Sequence, residues 1–117
     1  AITAALAALD LGPDDTLADL GCGDGRVLTE AVRRYGCRGI GVEIDPSRAA
    51  VARGSVAAAG LSDRIEIITG DATTYDLSGV SAVYVYLWSD VLEQLDLSAV
   101  PGLSGTQRGD VWVYLDV

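Results

Sequence analysis

Asp19, Glu43 and Asp71 each stand where a short apolar run ends, and Gly21, Gly23 and Gly25 follow the first of them at alternate positions. Carboxylates so placed can accept hydrogen bonds from hydroxyls and amines, or sit against a cation. Glycine gives a backbone positive φ and lets a ligand approach main-chain atoms closely. Thr16-Leu17-Ala18-Asp19-Leu20 reads as a strand, the glycines as a turn, and a helical pattern starts at once after them. Strand, glycine turn and helix N-terminus make the nucleotide-binding corner of an open α/β sheet. Glu43, about 20 residues past the glycines and at the end of the next strand, is placed to accept from ribose hydroxyls.

The turn itself narrows the ligand. A dinucleotide presents a pyrophosphate to the helix N-terminus, where an anion is poorly matched with neighbouring acids. Here Asp19 precedes the glycines and Asp24 lies among them, and the spacing is GxGxG, not GxGxxG. S-adenosylmethionine (SAM) has no phosphate; its sulfonium and amino group tolerate acids. Asp24 has two readings, stabiliser of the helix start or neighbour of the ligand. Cys22 reads as a small filler of the turn, because a nucleophilic cysteine needs a base and the chain has no histidine.

The elements that must hold these residues alternate between strand and helix. Ile2, Leu6 and Leu9 mark a first helix, and Val27, Leu28, Ala31, Val32 and Tyr35 recur at helical spacing until Gly36. Gly39–Ile44 reads as the second strand, and Asp45-Pro46 opens an alanine-rich helix to about residue 59. Ile65–Thr69 is the third strand, Gly70-Asp71-Ala72 its turn, and Ala82–Leu87 the fourth strand. Ser89 caps a short helix with Val91, Leu92 and Leu95; a Gly-, Ser- and Pro-rich loop leads to a fifth strand, Asp110–Leu115. Strands separated by helices imply a doubly wound, mainly parallel sheet of about five strands, with order 3-2-1-4-5 by analogy.

On these residues the chain resembles the class I (Rossmann-like) SAM-dependent methyltransferases, over about residues 1–100. The resemblance implies that Asp19 meets the methionine amino group and that Gly21 and Gly23 bring backbone against the methionine part. It also implies that Glu43 binds the ribose diol, Ile44 packs on adenine, Asp71 bonds the exocyclic amine and Ala72 offers a backbone contact. More narrowly, DLGCGDGRVLTEAVRRYGCRGIGVEIDPS and GDATTYDLSGVSAVYVYL are similar to a prokaryotic group related to the ATP-synthase c-subunit lysine methyltransferases. In that group a Tyr-Leu or Phe-Leu stretch ends the fourth strand and lines the methyl-acceptor site; Tyr86 and Trp88, and less so Tyr84, occupy that region here. The family's Pro- and Thr-containing segment before the first helix is absent, and the fifth strand is expected to end the sheet. That strand would form an open edge through which a second copy could pair.

Composition frames the rest. At 117 residues, half of them apolar, the chain reads as one SAM-binding, methyltransferase-like domain, residues 1–117, without the usual C-terminal strands. No apolar run is long enough to span a membrane, and two scattered cysteines make neither a disulfide framework nor a metal site, which points to the cytoplasm. Seventeen acidic residues against eight basic ones give a net charge of −9. Such a surface repels nucleic acid and favours a cationic acceptor such as a lysine of a basic protein; its plainer reading is solubility. The expected function is methyl transfer from SAM to an amine, with S-adenosylhomocysteine (SAH) as product. A non-catalytic SAM-binding module, a small-molecule methyltransferase and a nicotinamide-dependent oxidoreductase domain are the alternatives. Because a sulfonium is already an activated leaving group, the protein supplies proximity, orientation and a dry site.

Overall fold

The structure, a computed structural model, describes residues 6, 7, 9–85, 103–108 and 111–116, with the backbone alone for residue 85 and the last two strands. The first strand, β1 (Thr16–Leu20), is the sheet's inner strand, buried from Leu17 onward. Helix α1 (Arg26–Tyr35) follows and buries Val27, Leu28, Ala31 and Val32 while Arg33 and Arg34 face solvent. Gly36, at φ 69°, ends it by donating its N–H to the Val32 carbonyl, the left-handed C-terminal cap. Strand β2 (Arg38–Glu43) leads to α2 (Pro46–Ala58), whose N-cap Asp45 accepts from the Ser47 N–H. Small side chains on its inner side (Ala49, Ala52, Val56) let α2 lie close to the sheet and to α1.

Strands β3 (Ile65–Thr69) and β4 (Ala82–Val85) complete a parallel set in which β1 pairs with β2 and β4, and β2 with β3. Two further strands, β5 (Leu103–Arg108) and β6 (Val111–Asp116), give a six-stranded sheet of order β3-β2-β1-β4-β6-β5. The expected 3-2-1-4 core is therefore present. The strand expected fifth is sixth in chain order; it lies beside β4 but antiparallel to it, pairing Tyr84 with Val113 and Val85 with Trp112. It is not an open edge, because β5, built from residues expected to be loop, pairs along its other side. A Gly- and Ser-bearing run carries little hydrophobic alternation, so its strand character comes from antiparallel pairing with β6 and not from local preference.

One face of the sheet packs on α1, α2 and the helical residues Leu6 and Leu9; its core includes Leu17, Leu28, Val32, Val56, Ile65, Ile67 and Tyr84. The other face buries Ala18, Leu20, Val42 and Val83 against Leu77 and Val80 of the β3–β4 connection. Gly41 shows why the helical face needs glycine at that point. A Cβ there would come within 2.8 Å of Cys22 Sγ and Ile67 Cδ1 and 2.9 Å of Leu28 Cδ1, so α1 seats against the strand only without a side chain.

Candidate functional site

The carboxyl ends of β1, β2 and β3 converge at one rim, and the backbone ties them together. Gly21 and Cys22 donate their N–H groups to the Val42 carbonyl at 2.8 and 3.1 Å, and Gly70 donates to the Glu43 carbonyl at 3.0 Å. The glycine turn takes left-handed conformations at Gly21 (φ 81°), Gly23 (φ 55°) and Gly25 (φ 81°). A Cβ on Gly23 would meet nothing within 4 Å, whereas one on Gly25 would sit 3.5 Å from Ala52 Cβ. Gly23 therefore faces open space, and Gly25 is where α1 and α2 approach.

Glu43 is buried and holds the corner together. Its Oε1 accepts from the Gly23 N–H at 2.9 Å and its Oε2 from the Asp45 N–H at 3.0 Å. One carboxylate thus fixes both the turn after β1 and the approach to α2. An ionised carboxylate offers about four lone-pair sites, so two acceptor directions are left for a diol. Of the two sequence readings of this residue, diol acceptor and brace of the Asp45-Pro46 helix start, the second is directly seen.

Asp19 is 2 % exposed, and it has no hydrogen-bond partner among the described residues. Burial, then the charge of Glu43, then that of Asp24, raise its pKa from 3.8 to about 7. Cys22 beside it is buried too, and burial first, with the Asp19 and Glu43 charges, pushes its thiol up to about 12. It stays a neutral filler, as expected. Asp24 resolves toward the helix: it accepts from the Arg26 N–H at 3.1 Å and ion-pairs with Arg26 at 3.0 Å. That side-chain bond holds the Asp24 carboxyl below the usual range.

Ile44 lies just past β2 and is 69 % exposed, a large apolar side chain presented at the rim. Asp71 is exposed and forms an Asx turn, its Oδ1 accepting from the Thr73 N–H at 2.9 Å and the Thr73 hydroxyl at 2.6 Å. The Thr73 hydroxyl is also the main reason its carboxyl sits below the usual range. Among the described residues nothing donates to its Oδ2, the oxygen with capacity to spare. Ala72 is half-buried against the second core cluster. Thus Asp19, Gly21, Gly23, Glu43, Ile44, Asp71 and Ala72 all lie at the carboxyl ends of three neighbouring strands.

Tyr86 and Trp88 lie outside the described residues. Tyr84 is described: it is 3 % exposed within the helical-face core, next to Asp19 in the β1–β4 register, which favours its reading as core. Arg48 and Val51 of α2, which sequence reasoning passed over, line a hollow of about 280 Å³ with Gly23 and Asp24. Their signal was the helical spacing of exposed positions from Asp45, visible only once α2 was known to lean over the turn.

Three carboxylates at neighbouring strand ends, an apolar side chain at the rim and a glycine with open space beside it make up this corner. With the 3-2-1-4 parallel core, they define a Rossmann-like fold of the class I methyltransferase type. The sequence profile described as ANTKMT methyltransferase domain matches residues 19–107. The chain belongs to that family.

A protein-lysine N-methyltransferase of Saccharolobus islandicus is 34% identical over 83 residues, 70% of this chain and 52% of the relative. A ribosomal protein L11 methyltransferase of Yersinia pestis is 31% identical over 104 residues, 89% of this chain and 35% of the relative. Against these curated relatives, the chain spans about half their length or less. Among solved structures, an RNA methyltransferase from Salinibacter ruber, in complex with SAH, superposes with TM-score 0.75. It is 30% identical, covering 97% of this chain and 86% of that one. A SAM-dependent methyltransferase from Thiobacillus denitrificans, also in complex with SAH, gives TM-score 0.73 at 26% identity, with 90% and 47% covered.

Proposed function

We infer that this chain binds SAM at the rim of β1, β2 and β3 and directs methyl transfer to an amine, a lysine side chain of a protein. The observation that carries this is Asp19, a buried carboxylate without a hydrogen-bond partner among the described residues, beside Glu43 and under the open glycine turn. Once ionised, that carboxylate would pair with a cation, and in the family to which the chain belongs the ligand has one. Asp19 would hold the amino group of the methionine part, and the free lone pairs of Glu43 the ribose diol. Gly21 and Gly23 keep that path clear, Ile44 covers one face of the adenine, and Asp71 Oδ2 and the Ala72 backbone address its edge.

When bound, SAM supplies a methyl group on a sulfonium, an activated leaving group. What the protein adds is placement and exclusion of water. An amine must arrive neutral to attack, and a desolvated apolar channel favours that because burial lowers a lysine's pKa. Tyr86 and Trp88 are the side chains proposed to line that channel. A lysine acceptor is supported by the archaeal protein-lysine relative and by the net charge of −9, which attracts basic partners.

The RNA methyltransferase neighbour supports a second acceptor class, RNA. The same net charge counts against it, since phosphate backbones are bound by basic surfaces. Calorimetric titration with SAH tests the cofactor site. We expect saturable binding by the wild-type chain and binding weaker by about 10- to 100-fold in Glu43→Ala, the loss of a charge-assisted hydrogen-bond set. Absence of SAH binding by the folded wild-type chain would contradict the reading.

A further inference from the structure

Two buried carboxylates share this corner and are treated differently by the fold. Glu43 accepts from two backbone N–H donors, Gly23 and Asp45, which fix its carboxyl group in place. Asp19 has none among the described residues. Among the described residues, the groups that face it from the surrounding elements add no cation. Beside it on β2 are Gly41 in register and Glu43 beyond; the turn brings Cys22 and Asp24; and β4 sets Tyr84 next to it. Arg26, at the start of α1, is exposed and already paired with Asp24. Arg48 of α2 lines the hollow over Gly23 and Asp24 and is exposed. Two adjacent carboxylates in a buried site are costly to keep ionised together, and Asp19 is the one without donors among the described residues.

We propose that ligand binding at this site is proton-linked: Asp19 carries a proton in the unliganded protein and gives it to solvent as the ligand's ammonium group takes its place. The balance is simple. Asp19 carboxylic acid plus ligand ammonium becomes an Asp19 carboxylate–ammonium pair, and one proton goes to the buffer. No bond other than O–H is broken. This deepens the reading of the site as one for SAM and rests on it. Burial and the Glu43 and Asp24 charges, which raise the carboxyl to about 7, set the window in which the exchange operates. The consequence is a site that discharges ligand on acidification and fills as pH rises through neutrality.

Calorimetry with SAH as the probe tests this, run in pairs of buffers that differ in ionisation enthalpy. At about pH 6.5 we expect release of about three-quarters of a proton per SAH bound, and at about pH 8.5 almost none. Below about pH 7 the affinity should fall by up to about tenfold per pH unit. Asp19→Asn should bind more weakly, with heats independent of buffer and affinity flat in pH; the wild-type buffer series stands even where that variant folds poorly. SAH binding with no proton release and no pH dependence would overturn the proposal and leave the SAM reading intact. No SAH binding at any pH would overturn both.

Discussion

At the residue scale, the site is set by which carboxylates the fold satisfies. No described residue donates to the Asp19 carboxyl, so its ionisation opposes folding of the unliganded chain. Its raised folded pKa gives the sign: the stability tied to its neutral form is full below about pH 4 and is lost as pH rises through about 7. Asp19→Asn should therefore raise the melting temperature of the unliganded protein at about pH 8 more than at about pH 5, while SAH affinity falls. A thermal-unfolding series in pH checks this; a variant less stable at the higher pH than at the lower, relative to wild type, would contradict it. Glu43→Gln turns an amide N–H₂ toward a backbone donor, Gly23 or Asp45, and should cost about 1–3 kcal/mol in a denaturant titration.

At the element scale, two glycines separate stability from binding. Gly41→Ala forces a methyl against Cys22, Leu28 and Ile67 and should destabilise by about 1–3 kcal/mol through overpacking. Gly23→Ala meets no neighbour but must hold φ +55°, so it should cost about 1 kcal/mol and weaken SAH binding out of proportion to that loss. Equal effects of the two on affinity at matched stability would contradict the assignment of Gly23 to the ligand side. The sheet's outer strand β3 is guarded in its own way. Arg53 of α2 donates from one guanidinium nitrogen to the Ile67 carbonyl and to Thr69 Oγ1, each at 3.0 Å, placing a charge on an edge that would otherwise invite pairing. Arg53→Ala should increase self-association, read by sedimentation velocity.

The elements from β1 to β4 could be read from the sequence because local signals agreed with tertiary position: buried parallel strands are continuous apolar runs, and Gly36 and Asp45-Pro46 carry their own caps. β5 could not, because a Gly-bearing edge strand is specified by its partner β6. At the site, the positions of Asp19, Glu43 and Asp71 followed from strand ends alone. The bonds from Gly23 and Asp45 to Glu43, the lack of donors to Asp19 among the described residues and the cap from Arg53 depend on how loops close in space, which periodicity does not encode.

At the scale of the whole molecule, a net charge of −9 surrounds a fold shared with methyltransferases of protein and of RNA. An acidic surface steers basic partners, and that steering is screened by salt within about 8 Å at physiological ionic strength. Methylation of a basic protein acceptor should therefore slow as salt rises, through KM more than kcat. An acceptor whose KM is indifferent to salt would contradict a role for the surface charge.

The central claim is that SAM bound at this rim gives its methyl group to a protein amine. Its most direct test is transfer of label from methyl-tritiated SAM into a cell lysate by the wild-type chain, with Glu43→Ala as the control. The account predicts label in protein, removed by protease and resistant to nuclease, recovered as methylated lysine after hydrolysis and absent with the variant. Label in nuclease-sensitive or small-molecule fractions, or none above the variant, would contradict it.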